Sequence, residues 1–208
     1  MQVRVSDDDL LLIIDVQNDF CASGALAVAD GDAVVPVINR LTERFDHVIL
    51  TQDWHPPGHS SFATSHPGSA AFDVISMSYG QQTLWPDHCI QGAPGADFHP
   101  QLATERAELV IRKGFRPAID SYSAFYENDR RTPTGLAGYL RERGLQRIFL
   151  AGLATDFCVY YSAVDARRLG FTTVLIEAGC RAINLAGSLD AARAGMAAAG
   201  VQRVNDLG

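Results

Sequence analysis

Six short runs of apolar, often β-branched residues punctuate the chain, and most show no polar alternation. They are LLLIID (10–15), HVILTQ (47–52), ELVIRK (108–113), RIFLAG (147–152), TTVLIEA (172–178) and VQRVN (201–205). A strand that is apolar at nearly every position has both faces covered. Segments with a helical period fill most of the gaps, at about 31–45, 134–143, 156–169 and 187–199. Strand and helix in alternation point to an α/β fold: a single domain over 1–208, three layers α/β/α, with a six-stranded, mainly parallel sheet.

At 208 residues, 47% hydrophobic and 20% charged, the chain is long enough to bury a sizeable core. Its net charge is −7 with no Lys/Arg-rich run, which argues against nucleic acid or an anionic membrane as a partner. The longest apolar stretch, LLLII, stops at Asp15, far short of a membrane span. The opening MQVRVSDDDL carries three acids where an export signal needs a basic start. Cysteines at 21, 89, 158 and 180 form no CxxC pair, which fits a reducing cytoplasm better than a disulfide framework. A cytoplasmic location is therefore expected.

In an open parallel sheet, ligands bind beyond the carboxyl ends of the strands. Asp15 ends the first run, Asp53 follows the second, Lys113 ends the third, and Cys158 follows the fourth across a short turn. In GLATDFCVYY (152–161), Thr155 or Asp156 is placed to cap a helix, with Cys158 in its first turn. Exposed N–H groups and the helix dipole there would lower the thiol's pKa. Lys113 would add to that effect, and Asp15 could accept the proton. Each residue alone has a plainer reading, as apolar filler, loop-former or surface lysine. Their convergence on one sheet edge is what points to nucleophilic chemistry. Cys21, Cys89 and Cys180 lack such surroundings and read as structural.

Residues 53–107 break the rhythm, holding five of the six histidines and both tryptophans. A long irregular stretch in a compact domain usually has a function. Asp53 and His55, two apart, can turn toward one ion, and His88 could complete the set. One carboxylate and two imidazoles suit Zn²⁺, Fe²⁺ or Mn²⁺ with positions left open. His59 is a further candidate ligand, while His66 and His99 read as surface residues. The bland alternative is that these side chains only hold the loop in shape.

DVQNDF, TQDWHPPGH, WPDHC, RKG, DSYSAF and GLATDFCV, in that order, resemble the nicotinamidase group of the isochorismatase-like cysteine hydrolase superfamily, from about residue 9 onward. The resemblance implies a triad of Asp15, Lys113 and Cys158, with Asp53, His55 and His88 holding one divalent metal ion, Zn²⁺ first. It implies a cis peptide before Ala154, an oxyanion hole from the Ala154 and Cys158 N–H groups, and stacking of a pyridine ring by Phe20 and Trp85. Ala154 would thus line the substrate site as well. The implied reaction converts nicotinamide to nicotinate and ammonia through a thioester, in NAD salvage, with pyrazinamide as a second substrate. The implied partner is a small molecule, and a homo-oligomer is left open. Two rivals stand beside this reading. One is a cysteine hydrolase of another amide, such as an N-carbamoyl compound, for which a ring-binding metal has no use. The other is a non-catalytic binding or redox protein on the same fold.

Overall fold

The computed structural model describes residues 3–207. Its strands are β1 (Asp9–Ile14), β2 (His47–Asp53), β3 (Val74–Met77), β4 (Gly80–Thr83), β5 (Leu109–Lys113), β6 (Arg147–Leu153), β7 (Thr172–Arg181) and β8 (Gln202–Val204). Its α-helices are α1 (Val34–Thr42), α2 (Leu136–Glu142), α3 (Tyr160–Arg168) and α4 (Ser188–Ala198). Six strands form one sheet in the order β5-β2-β1-β6-β7-β8, every pair parallel. Among the described residues, no helix is long and apolar enough to cross a membrane.

The uninterrupted apolar character of the central runs has a direct cause. In β1, Leu11 and Ile13 join a core on the α1 side of the sheet, while Leu10, Leu12 and Ile14 join a second core with residues of α2, α3 and α4. β6 divides in the same way, Phe149 and Ala151 to one side, Ile148 and Leu150 to the other. The side chains alternate as in any strand, but no face meets water. At the rim, β5 alternates: Val110 is 42% exposed, whereas Lys113 at its end is buried.

Two expectations shift in detail. The stretch predicted as helix over 31–45 begins with a 3₁₀ turn, Gly31–Ala33, before α1. The stretch predicted over 156–169 begins with a π-helical turn, Thr155–Val159, before α3. Within 53–107, β3 and β4 pair as an antiparallel hairpin, Val74 opposite Thr83 and Met77 opposite Gly80. The same region plugs into the core through Leu84, Trp85, Cys89, Ala96 and Leu102, so it is no loose insertion.

The crevice lies where strand order reverses, since the chain leaves β1 for β2 on one side while β6 pairs on the other. There β1 and β6 approach too closely for a side chain. Gly152 has φ +127, and a Cβ on it would lie 2.1 Å from the Ile14 carbonyl oxygen. Gly138, by contrast, sits in α2 with open space around it. Gly152→Ala should therefore destabilise the fold by roughly 2–3 kcal/mol or more, while Gly138→Ala should stabilise it by about 0.5–1 kcal/mol. Urea unfolding of the two variants checks the opposite signs, and a neutral Gly152→Ala would show that the crevice is not so tight.

Candidate active site

Asp15 is the first residue past β1 and takes a left-handed backbone, φ 48. Its N–H donates to Thr51 Oγ1 (3.1 Å), and the Thr51 hydroxyl donates to Asp15 Oδ1 (2.5 Å). The β2 residue thus fixes the carboxylate from two directions. Lys113, at the end of β5, reaches over β2 into the crevice. Its Nζ stands 2.8 Å from Asp15 Oδ2, 3.1 Å from Asp53 Oδ1, 3.0 Å from the Ser121 carbonyl and 3.4 Å from Cys158 Sγ. Asp15, Lys113 and Cys158 are all buried. The RKG motif also has a steric reason: Gly114 has φ +69, and a Cβ there would come within 2.8 Å of His55 Nε2.

Burial and charge set the protonation of this group. Burial, reinforced by Asp53, pushes the Asp15 carboxyl up further than Lys113 pulls it down. Burial acts against the Lys113 ammonium, but Asp15, Asp53 and Cys158 hold its pKa well above the ordinary lysine value. Burial pushes the Cys158 thiol well up, with Lys113 opposing and Asp15 adding to the rise. This corrects the expectation of a thiol acidified by a helix start. Cys158 lies inside the π turn, where neither Thr155 nor Asp156 caps the helix. Asp156 instead accepts N–H groups of Ile183 (3.0 Å) and Asn184 (2.7 Å) and the Ser188 hydroxyl. Desolvation of the sulfur outweighs what the turn offers it. A thiol held up in this way needs a base at hand to attack. Asp15 is the carboxylate neighbouring both the thiol and Lys113.

Asp53, His55 and His88 come together as the sequence predicts. Asp53 Oδ2 lies 3.4 Å from His55 Nδ1 and 3.3 Å from His88 Nε2. Hydrogen bonding fixes which nitrogen of each ring faces inward. His88 Nδ1–H donates to the Pro86 carbonyl (2.7 Å), leaving Nε2 with a lone pair. His55 Nε2–H donates to Asp120 Oδ1 (3.1 Å), leaving Nδ1 with a lone pair and no hydrogen-bond partner. A buried imidazole nitrogen without a partner, facing a carboxylate and a second imidazole, fits a divalent cation. Burial works against the Asp53 carboxylate, yet His55 when protonated, the Lys113 ammonium and His88 when protonated hold its pKa far below the usual range. His59 is buried against the His55 ring, but its Nδ1 meets the Ser61 hydroxyl (2.8 Å) and its Nε2 the Arg116 carbonyl (2.9 Å). Both its nitrogens are engaged away from Asp53. His66 and His99 are half-buried rather than exposed, against Ser60 and Asp32 respectively.

One cavity joins the two clusters, lined by Phe20, Trp85, Phe157 and Tyr122 together with Ala154, Cys158, Asp53 and His88. The Leu153–Ala154 peptide is cis. A larger groove of about 260 Å³ lies beyond Tyr122, among Tyr79, Tyr126 and Tyr161, and holds none of the triad. All four cysteines are free and buried; burial pushes Cys21 to about 11 and Cys180 to about 12.

Several supporting residues escape sequence reasoning. Gln17, fully buried, clamps Asp53 by accepting its N–H and donating to its carbonyl, both at 2.8 Å. Asp120 orients His55, and Tyr122 accepts from the Trp85 indole (3.0 Å). Gln17, Asp120 and Tyr122 stand in DVQNDF and DSYSAF, so the motifs hold them, but no periodicity marks their roles. Thr51 opens TQDWHPPGH, but at the end of an apolar run nothing marks its role.

Comparison with known proteins agrees with this geometry. The family model for the isochorismatase domain matches residues 9–205. A nicotinamidase of Acinetobacter baylyi is 49% identical over 205 residues, covering 99% of this chain and 96% of that protein. The solved structure of an Acinetobacter baumanii nicotinamidase/pyrazinamidase superposes with a TM-score of 0.95 at 52% identity, covering 96% of each chain. That of a Pyrococcus horikoshii pyrazinamidase in complex with zinc does so at 0.76 and 31% identity, covering 95% of this chain and 98% of that one. With its parallel sheet, its crevice at the strand reversal and this match over nearly its whole length, the chain belongs to the isochorismatase family.

Proposed function

We propose that this protein is an amidohydrolase that converts nicotinamide to nicotinate and ammonia, with Cys158 as its nucleophile. One observation carries the reading: the Lys113 ammonium touches Asp15, Cys158 and the metal-site carboxylate Asp53, at the edge of a narrow cavity lined by aromatic side chains. The nicotinamidase relatives support the substrate.

Asp15 takes the thiol proton as Cys158 Sγ attacks the carboxamide carbon. The N–H groups of Ala154 and Cys158 receive the developing oxyanion. Collapse breaks the carbon–nitrogen bond, Asp15 returns its proton to the departing nitrogen, and ammonia leaves a thioester on Cys158. Asp15 then takes a proton from water, the resulting hydroxide attacks, and the carbon–sulfur bond breaks. The sulfur recovers the proton, releasing nicotinate. Lys113 holds the Asp15 carboxylate in place and favours the thiolate. Phe20 and Trp85 grip the two faces of the pyridine ring. Asp53, His55 and His88 would hold a divalent ion, which would supply a Lewis acid suited to a pyridine nitrogen. Zinc is our assignment, supported by the Pyrococcus horikoshii complex, although the donor set also accepts Fe²⁺ or Mn²⁺. Pyrazinamide has a ring nitrogen in the same position and should be hydrolysed too. The protein would act in the cytoplasm, in NAD salvage. An N-carbamoyl amide would leave the metal site without a purpose, and an intact triad argues against a purely binding role.

Purified, metal-loaded protein should release ammonia from nicotinamide; none above background would sink the proposal. Cys158→Ala should abolish turnover yet still bind nicotinamide, and Cys158→Ser should be nearly as inactive because a hydroxyl ionises far less readily. Substantial activity in the alanine variant would mean another nucleophile.

Asp15→Asn and Lys113→Ala should each cost about 10³-fold or more in kcat, and the double variant little beyond the worse single one, since such groups act as a unit. Multiplicative losses in single-turnover kinetics would break up the triad.

Benzamide tests the metal anchor, having the ring and carboxamide without the ring nitrogen. The native enzyme should prefer nicotinamide by up to ~10⁴-fold in kcat/KM, as a lost polar anchor in a buried site can cost that much. In His55→Ala the preference should shrink, chiefly through nicotinamide. An unchanged ratio in folded protein would remove the anchor and leave the cysteine chemistry standing.

A further inference from the structure

The β3–β4 hairpin is largely exposed, yet it sends one side chain fully inward: Gln82, 1% exposed. Its Nε2 lies 2.7 Å from Asp120 Oδ2, 3.0 Å from the Tyr122 hydroxyl and 2.7 Å from the Thr83 carbonyl. Its Oε1 accepts from the Tyr79 hydroxyl and from the Asn128 amide, both at 3.2 Å. The orientation of the amide is unambiguous, since a flip would aim an oxygen at a carboxylate and a carbonyl.

What stands behind those partners gives Gln82 its importance. Asp120, itself buried, uses its other oxygen to accept from His55 Nε2–H, and this bond turns His55 Nδ1 toward Asp53. The Tyr122 hydroxyl accepts from the Trp85 indole, which lines the cavity. A single amide therefore joins the support of a metal-site imidazole to the support of an aromatic wall. We propose that Gln82 is a positioning residue that sets both substrate anchors together, His55 through Asp120 and Trp85 through Tyr122. The assignment rests on the reading of His55 as a metal ligand and Trp85 as a ring wall.

Loss of the amide leaves Asp120 Oδ2 as a buried acceptor short of a donor, with only the Ser121 N–H on Oδ1 (2.8 Å) to help keep the geometry His55 needs. Groups that orient a metal-ligating histidine typically change metal affinity by about 10–100-fold. Gln82→Met keeps the volume and removes the donors. Zn²⁺ affinity, measured by chelator competition without substrate, should fall by about ten-fold or more. The KM for nicotinamide should rise and its advantage over benzamide should narrow. Iodoacetamide labelling of Cys158 should stay near the wild-type rate, because the triad does not touch Gln82. Asp120→Asn should also weaken Zn²⁺ binding, and adding Gln82→Met to it should cost little more. If Gln82→Met does not fold, Gln82→Glu keeps the chain length but sets a carboxylate against Asp120, and should lose Zn²⁺ affinity equally. Wild-type Zn²⁺ affinity in a folded Gln82 variant overturns the assignment even if its melting temperature drops, because a purely structural hairpin predicts that pattern. Failure of the wild type to hydrolyse nicotinamide sinks the proposed reaction but not the Zn²⁺ comparison. Failure of the wild type to take up Zn²⁺ overturns the role of Gln82 directly.

Discussion

A buried ammonium between two buried carboxylates is the constraint to which the rest of the crevice conforms. Lys113 has no water to solvate it, and neither have Asp15 and Asp53. Any one of the three charges left alone in that interior would be strongly destabilising, so the geometry must bring all of them together. Meeting that demand fixes a great deal at once. The ends of β1, β2 and β5 are drawn to one point, the Cys158 sulfur is placed against the ammonium, and Asp53 is left with one oxygen for Lys113 and the other facing two histidines. The Asp15–Lys113–Cys158 cluster and the Asp53–His55–His88 cluster are therefore one electrostatic unit, sharing Asp53.

That unity explains why so much of the site was legible in the sequence. A parallel sheet delivers the residue after each strand to the same edge, so Asp15, Asp53, Lys113 and Cys158 could be grouped from the apolar runs before them. What stayed hidden depends on distances across the chain. Thr51 sits inside an apolar run and shows its use only when β1 and β2 lie side by side. Gln82 belongs to GQQT, a short polar strand without a pattern, and its burial comes from loops far away in sequence. The thiol's acidity is hidden for a related reason. A helix start can be seen in GLATDFCVYY, but the desolvation that dominates the sulfur comes from the surrounding fold, and the turn itself is π-helical.

The two histidines that face Asp53 differ in how they are held. His88 is oriented by a backbone carbonyl two residues away, a local bond that WPDHC supplies itself. His55 is oriented by Asp120, sixty-five positions distant. Gln17 likewise bridges from β1's loop to the backbone of Asp53. Most of the site's rigidity thus comes from side chains that reach between segments, which suits a cavity formed of several loops.

Lys113 also has an awkward address. β5 is the last strand of the sheet on its side, paired among the described residues with β2 alone, and Val110 and the following Phe115 are partly exposed. Rim strands open at lower free energy than the centre of a sheet. The ammonium that secures Asp15 is therefore carried at the margin of the sheet, on a strand held by β2, by its own ion pairs and by Leu109 and Ile111 against the second core. Partial opening at this margin would return Lys113 to water and strand two carboxylates inside. Under mild denaturing stress the chemistry would vanish in a molecule still folded, and the working lifetime of the protein would be governed by its outermost strand, not its centre.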